Sequence, residues 1–276
     1  MNKPFAFDRS YLDYYQDRLE RASDGTRVPG LGVTAALIER MNVRPGQRVL
    51  DVGCSFGRML PILSPLTDEV FGLELSYDVV DVAAKQSYRC VVRGGAEDSN
   101  LPSGYFSHLV LFGVFDCCEQ TLALRESRRL LAPGGLALIT GKNANYESDD
   151  RLALVAERNA WRKSFPNSFT LASALHELLP SFGLELTELL RFPRRGDFGE
   201  MRTLPETTPA DTPFYEYAAV LRAVGDQPPE LSASDTPLVS TSISHTARQA
   251  AQKGGFASVE DFFNADALEA LEAPER

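Results

Sequence analysis

Between residues 47 and 142 the chain alternates short apolar runs with stretches of mixed character. QRVLDVG, EVFGLELS, YRCVVRG, SHLVLFGVFD and LALITGK are apolar runs of strand length, and they predict strands. GRMLPILSPL, YDVVDVAAKQS and EQTLALRESRRLLA lie between them and predict helices. Pro61 fits the first of these only in its opening turn. The PGG that follows the third is expected to stop it, because glycine supplies a left-handed cap and proline cannot continue the helix. This rhythm implies a mostly parallel sheet covered by helices. Strands that are apolar almost throughout fit a sheet buried on both faces.

The flanks read differently. DRSYLDYYQDRLERA predicts a short amphipathic helix with Tyr11, Leu12, Tyr15 and Leu19 near one face, and TAALIERMN (34–42) predicts another. After Lys142 a polar helix is expected within 143–168, around the single tryptophan, Trp161. TLASALHELLPSFG reads as a helix ending at Gly183, and LELTELLRFPR as a strand. A loop over 196–212 leads to a last strand, FYEYAAVLRAV (214–224). Those two late strands suit an antiparallel hairpin closing the sheet. Residues 225–241 look like a linker, and two helices follow at about 244–253 and 258–272. The pattern leaves open whether the last one docks on the domain, binds a partner or stays mobile. The expected plan is an N-terminal helical cap over 1–42, an α/β domain over 43–224 with insertions at 143–168 and 196–212, and a linker with helical tail over 225–276.

Composition narrows the field modestly. The 276 residues carry a formal net charge of −10, which disfavours broad binding to nucleic acid, a task that needs a basic face. Four cysteines and three histidines show no metal-ligand spacing. Reduced thiols, no metal and a cytoplasmic location are expected. No apolar run approaches the roughly 20 residues of a membrane span, and the N-terminus has no apolar signal core. Oligomeric state is not legible.

The chemistry gathers at the first strand–turn–helix, VLDVGCSFG. Gly53 and Gly57 permit unusual backbone angles and close approach of a ligand. Backbone N–H groups there are expected to face the ligand. Asp51, just before the turn, would repel a pyrophosphate but suits an ammonium group. Glu74 ends the second strand, 21 residues beyond Gly53, where a carboxylate can accept both hydroxyls of a ribose. A nucleoside with positive charge and no diphosphate satisfies all these conditions. S-adenosylmethionine is such a molecule, whereas NAD meets only the ribose condition.

VLDVGCSFG resembles the cofactor signature D-x-G-x-G-x-G of class I S-adenosylmethionine-dependent methyltransferases. VFGLELS, GGAEDSNLP, LVLFGVFDCCE and ESRRLLAPGGLALIT resemble their later motifs, in order, across residues 47–141. The resemblance implies a Rossmann-like α/β fold with a seven-stranded sheet of order 3-2-1-4-5-7-6, its last strand antiparallel. It implies S-adenosylmethionine as cofactor and S-adenosylhomocysteine as product. By position, Asp51, Gly53, Cys54, Ser55 and Gly57 would hold the methionine part, and Glu74 and Leu75 the ribose end. Ala96 and Glu97 would meet the adenine, and Phe112 and Gly113 would border the methionine moiety. Ser55 stands where the family has a glycine, and Gly95 where it often has an aspartate.

The acceptor is less legible. The family's N/D-P-P-Y/F motif of nucleic-acid adenine methylation is absent, since FGVF stands there, and no RNA-binding or chromatin module is appended. A small-molecule acceptor is expected, such as a secondary metabolite, sugar or quinone-like compound, methylated on oxygen. A protein or tRNA acceptor, or a non-catalytic cofactor-binding scaffold, are the alternatives. Asp116 is the candidate base. Tyr11, Tyr14, Tyr15, Tyr146 and Trp161 are candidate lid or acceptor-pocket residues, and Arg58, Arg194 and Arg195 candidate anion binders.

Overall fold

The structure, a computed structural model, describes residues 31–230 and 238–265. The predicted N-terminal helix with Tyr11, Tyr14 and Tyr15, and residues 266–272 of the predicted 258–272 helix, lie outside these residues. The described elements are α1 (Leu31–Glu39), β1 (Val49–Val52), α2 (Leu60–Leu63), β2 (Val70–Glu74), α3 (Tyr77–Ala83), β3 (Cys90–Arg93) and β4 (Phe106–Leu111). They continue with α4 (Gln120–Leu130), β5 (Leu131–Asn143), α5 (Arg151–Arg162), β6 (Phe169–Thr170), α6 (Leu175–Leu178) and β7 (Leu184–Phe192). The chain then forms β8 (Glu216–Ala223), β9 (Ser240–Thr241), α7 (His245–Lys253) and α8 (Val259–Asn264).

β3, β2, β1, β4 and β5 run parallel in that order, and β8 pairs antiparallel with both β5 and β7. Counting β7 and β8 as the sixth and seventh strands, this is the expected order 3-2-1-4-5-7-6. The sheet has nine strands rather than seven. The additional two come from β5, which at 13 residues outruns β4. Beyond β4, Lys142 and Asn143 pair with β6, and β6 pairs antiparallel with β9. This small rim sits beyond the carboxyl end of β4, where open α/β sheets bind ligands.

The continuous apolar strands are explained by two cores. Leu50, Leu109 and Ile139 pack in one cluster with Ala123 and Leu124 of α4 and Leu175 of α6. Their chain neighbours Val49, Val110 and Leu138 pack in the other with Leu37 and Ile38 of α1 and Leu60 and Leu63 of α2. Successive side chains point to opposite faces, and here both faces are covered.

Two local expectations are corrected, and one question that the pattern left open is answered. Pro133, Gly134 and Gly135 belong to β5 rather than to a helix stop: Leu131 is already extended, and the register shift between Phe106 and His108 absorbs the added length as a bulge. TLASALHELLPSFG is broken, with Phe169–Thr170 paired in the sheet and only a short α-helix flanked by 3₁₀ turns before the left-handed Gly183. The C-terminal segment docks as far as it is described. A third cluster unites Tyr146, Leu154 of α5, Phe169, Tyr215, Ala247 and Ala251 of α7, and Phe262 and Phe263 of α8. Its polar centre is Glu157, buried and accepting from Tyr146 Oη (2.6 Å), Ser244 Oγ (2.7 Å) and Ser244 N (2.8 Å).

Candidate functional site

The carboxyl ends of β1, β2 and β4 meet around a cleft of about 190 Å³. Asp51, Gly53, Cys54, Ser55, Glu74, Leu75, Ala96, Glu97, Phe112 and Gly113 all line it. Gly57 stands just outside, at the start of the turn leading to α2, where its positive φ of 94° reverses the chain. A side chain at Gly53 would be strained: its φ is +66°, and an added Cβ would lie 2.4 Å from Val114 Cγ2, so the neighbour would have to shift. Ser55 also sits in the left-handed region, at φ +50°. This is the position where the family has glycine, so the serine carries backbone strain there.

The turn is not an anion nest. Gly53 N and Cys54 N donate to Leu73 O (2.7 and 3.0 Å), Ser55 N to Glu74 Oε2 (2.9 Å), and Gly57 N to Cys54 O (2.9 Å). The expectation that these N–H groups face the ligand is overturned. The reason is local: β2 runs beside the turn and supplies acceptors for it. With its donors engaged internally, the turn has little to offer a pyrophosphate.

The cleft is acidic instead. Asp51 is 1% exposed and accepts a hydrogen bond from Tyr88 Oη at 2.6 Å. Burial pushes its carboxyl up to about 7, against the Tyr88 hydrogen bond, with Glu74 adding to the rise and Arg58 opposing it. Glu74 Oε1 accepts from Ser76 N at 2.9 Å, so each oxygen has one internal donor and capacity for a hydroxyl. Glu97 Oε1 accepts from Glu119 N (3.0 Å), bringing it to the cleft wall at the head of α4. These features fit a nucleoside bearing positive charge.

A second cleft of about 430 Å³ adjoins the first and shares Arg58, Phe112 and Gly113 with it. Asp116, Thr140, Gly141, Lys142, Phe198, Gly199, Glu216 and Tyr217 complete its lining. Asp116, in the turn after β4, forms an ion pair with Lys142 Nζ at 2.7 Å. Lys142 also donates to Asn167 Oδ1 at 2.9 Å, and Asp116 with its neighbours raises the Lys142 ammonium further despite burial. The β6 rim braces this corner, since Ser168 N donates to Asp116 O (2.8 Å) and Ser168 Oγ to Cys118 O (3.0 Å). Phe198 and Gly199 bring the 196–212 insertion to this cleft, whereas no residue of 143–168 lines either cleft.

Two aromatic candidates are placed elsewhere. Tyr146 is buried with its hydroxyl on Glu157, and Trp161 packs on Phe263 with ring centroids 5.6 Å apart. Both belong to the core that holds the C-terminal segment. Arg194 pairs with Asp149, and Arg195 reaches Tyr215 Oη. His108 is structural: buried, its Nε2 lies 3.0 Å from Met41 O and burial lowers its pKa.

Sequence reasoning missed Tyr88, Lys142 and Glu216. Lys142 carried a usable signal, a charged residue at the carboxyl end of an apolar strand. Tyr88 and Glu216 gave none, because their partners are supplied by long-range pairing.

Fold and cleft together define a class I, Rossmann-like methyltransferase domain, a class whose cofactor is S-adenosylmethionine. Residues 50–139 match the family model described as a methyltransferase domain, so the chain carries a methyltransferase domain there. Among relatives, the demethylmenaquinone methyltransferase of Staphylococcus carnosus is 28% identical over 110 residues, covering 37% of this chain and 46% of that protein. The chain spans about half the length of the curated relatives it matches. A Haloferax volcanii methyltransferase solved with the Trm112 activator aligns at TM-score 0.58 and 17% identity, over 80% of this chain and all of that one. A geranyl diphosphate methyltransferase solved with S-adenosylmethionine aligns at TM-score 0.56 and 16% identity, over 80% of this chain and 93% of that one. These structural likenesses speak to the fold. Among the described residues no helix is long and apolar enough to cross a membrane.

Proposed function

We propose that this chain transfers a methyl group from S-adenosylmethionine to a small-molecule acceptor, with oxygen the favoured target. The observation that carries the reading is the pair of clefts joined at Arg58, Phe112 and Gly113. One is acidic with a turn whose donors are engaged internally, and the other ends in an ionisable cluster. Asp51 would face the cofactor's ammonium, with Gly53, Cys54, Ser55 and Gly57 shaping the turn around its methionine part. Glu74 would accept the ribose hydroxyls, Leu75, Ala96 and Glu97 would flank the nucleoside, and Phe112 and Gly113 would border the junction. When bound, the cofactor supplies an activated methyl group on a sulfonium. The protein's task is then alignment and exclusion of water.

The second cleft is of a size for one small acceptor, and its neighbour Asp116 anchors Lys142 there. Two of the similar proteins, by their names, act on a quinone and on geranyl diphosphate, which supports the small-molecule reading. Labelled S-adenosylmethionine added with size-fractionated cell extract tests it. Label is expected in the low-molecular-weight fraction, and label confined to protein or RNA would overturn the acceptor class.

A further inference from the structure

We propose that Glu216 takes the proton of a phenol- or enol-type hydroxyl bound in the second cleft, beside the Lys142 ammonium. This rests on the methyl-transfer reading above and names its acceptor class and proton acceptor. Glu216 opens β8 and is paired across the antiparallel ladder with Lys142 of β5. Both line the second cleft. Among the described residues, the Glu216 carboxylate has no hydrogen-bond or ion-pair partner within contact distance. An ammonium has three N–H donors. Lys142 gives one to Asp116 and one to Asn167, and no protein acceptor among the described residues takes the third. A proton acceptor and a cationic donor therefore flank one small space, walled by Phe112 and Phe198, whose ring centroids lie 5.8 Å apart.

Asp116 was the residue singled out by sequence, but its charge is matched by Lys142. Glu216 is differently placed. Burial raises its carboxyl to about 7, with Asp116 and Asp150 adding to the rise and Arg195 and Lys142 opposing it. Those groups come from β5, from the turn after β4, and from the segments before α5 and after β7. Tyr215 is its chain neighbour. A base near neutrality suits proton transfer at physiological pH. A phenolic hydroxyl, near 10 by analogy with tyrosine, is within about three decades of it. A simple alcohol is a far weaker acid than a phenol, and its proton lies many more decades out of reach.

The step balances. The O–H proton passes to a Glu216 oxygen as the acceptor oxygen forms its bond to the methyl carbon. The pair of the old S–C bond remains on sulfur, and Glu216 later releases its proton to solvent. Lys142 offsets the charge that develops on the acceptor oxygen.

Catechol, a simple hydroquinone and 4-hydroxybenzoate, with benzyl alcohol and benzylamine as contrasts, are incubated with the wild-type chain and labelled S-adenosylmethionine. Label is expected in at least one phenol and in neither contrast. Glu216→Gln should lower kcat at pH 7 by about 100-fold or more, leaving cofactor Kd by calorimetry within about twofold of wild type. The loss should shrink as pH rises toward the phenol's own ionisation, a rescue that a merely misfolded variant would not show. Transfer to no phenol, transfer to benzylamine instead, or an unchanged kcat in the variant overturns the proposal. Absence of cofactor binding by the wild type would instead strike the methyl-transfer reading beneath it.

Discussion

Replacing Asp51 by asparagine separates what the first cleft does for binding from what it does to stability. The side chain is 1% exposed, and its carboxyl rises from 3.8 to about 7 in the fold. A raised carboxyl binds its proton more tightly folded than unfolded. Its contribution to stability is therefore fully present below about pH 4 and is lost as pH rises through 7. A shift of about three pKa units at about 1.36 kcal/mol each gives about 4 kcal/mol. Asp51→Asn removes that titration while keeping an oxygen for the Tyr88 hydroxyl. The stability of the variant minus that of the wild type should rise by about 2–4 kcal/mol between pH 4 and pH 8.5. Urea unfolding of both proteins across this range measures it. Glu216, which is also raised to about 7, titrates in both proteins and cancels in the difference. Calorimetry should show the variant losing cofactor affinity at least about tenfold, because an ammonium loses its charged partner. The wild type should bind progressively less well below pH 7, as Asp51 protonates. A difference in stability that stays flat with pH, or falls as pH rises, would refute the reasoning.

Other substitutions test other parts of the architecture. Gly53→Ala puts a Cβ 2.4 Å from Val114 Cγ2 at a positive φ; a loss of about 2–3 kcal/mol with weakened cofactor binding is expected by denaturation and titration. Ser55→Gly relieves the left-handed strain at φ +50° but loosens the unfolded chain, so a net gain of about 0.5–1 kcal/mol is expected by thermal melting. Glu157→Ala leaves Tyr146 Oη, Ser244 Oγ and Ser244 N without their acceptor. It should cost about 3 kcal/mol and open the segment around α7 to limited proteolysis before the sheet unfolds.

How far these features were legible in the sequence follows from their range. Val49–Leu50, Leu109–Val110 and Leu138–Ile139 supply both faces of the sheet, so near-continuous apolar runs announced central parallel strands. Asp51 and Glu74 stand at strand tips in fixed relation to Gly53, so local spacing reveals them. β6 and β9 are two residues each and owe their existence to pairing with distant chain, which periodicity does not register. Tyr88 reaches Asp51 across 37 positions, and Glu216 meets Lys142 only through the β5–β8 register. Tyr146 and Trp161 looked like pocket aromatics because aromatic character alone does not tell a ligand wall from a core. Their partners, Glu157 and Phe263, are set by the docking of the C-terminal segment.

The most direct test is calorimetric titration of the purified chain with S-adenosylmethionine, S-adenosylhomocysteine and NAD at pH 7.5. Saturable one-site binding of the first two, weakened at least about tenfold in Asp51→Asn and Glu74→Ala, with no binding of NAD, is the predicted result. Binding of NAD without S-adenosylmethionine would contradict the assignment of the cleft.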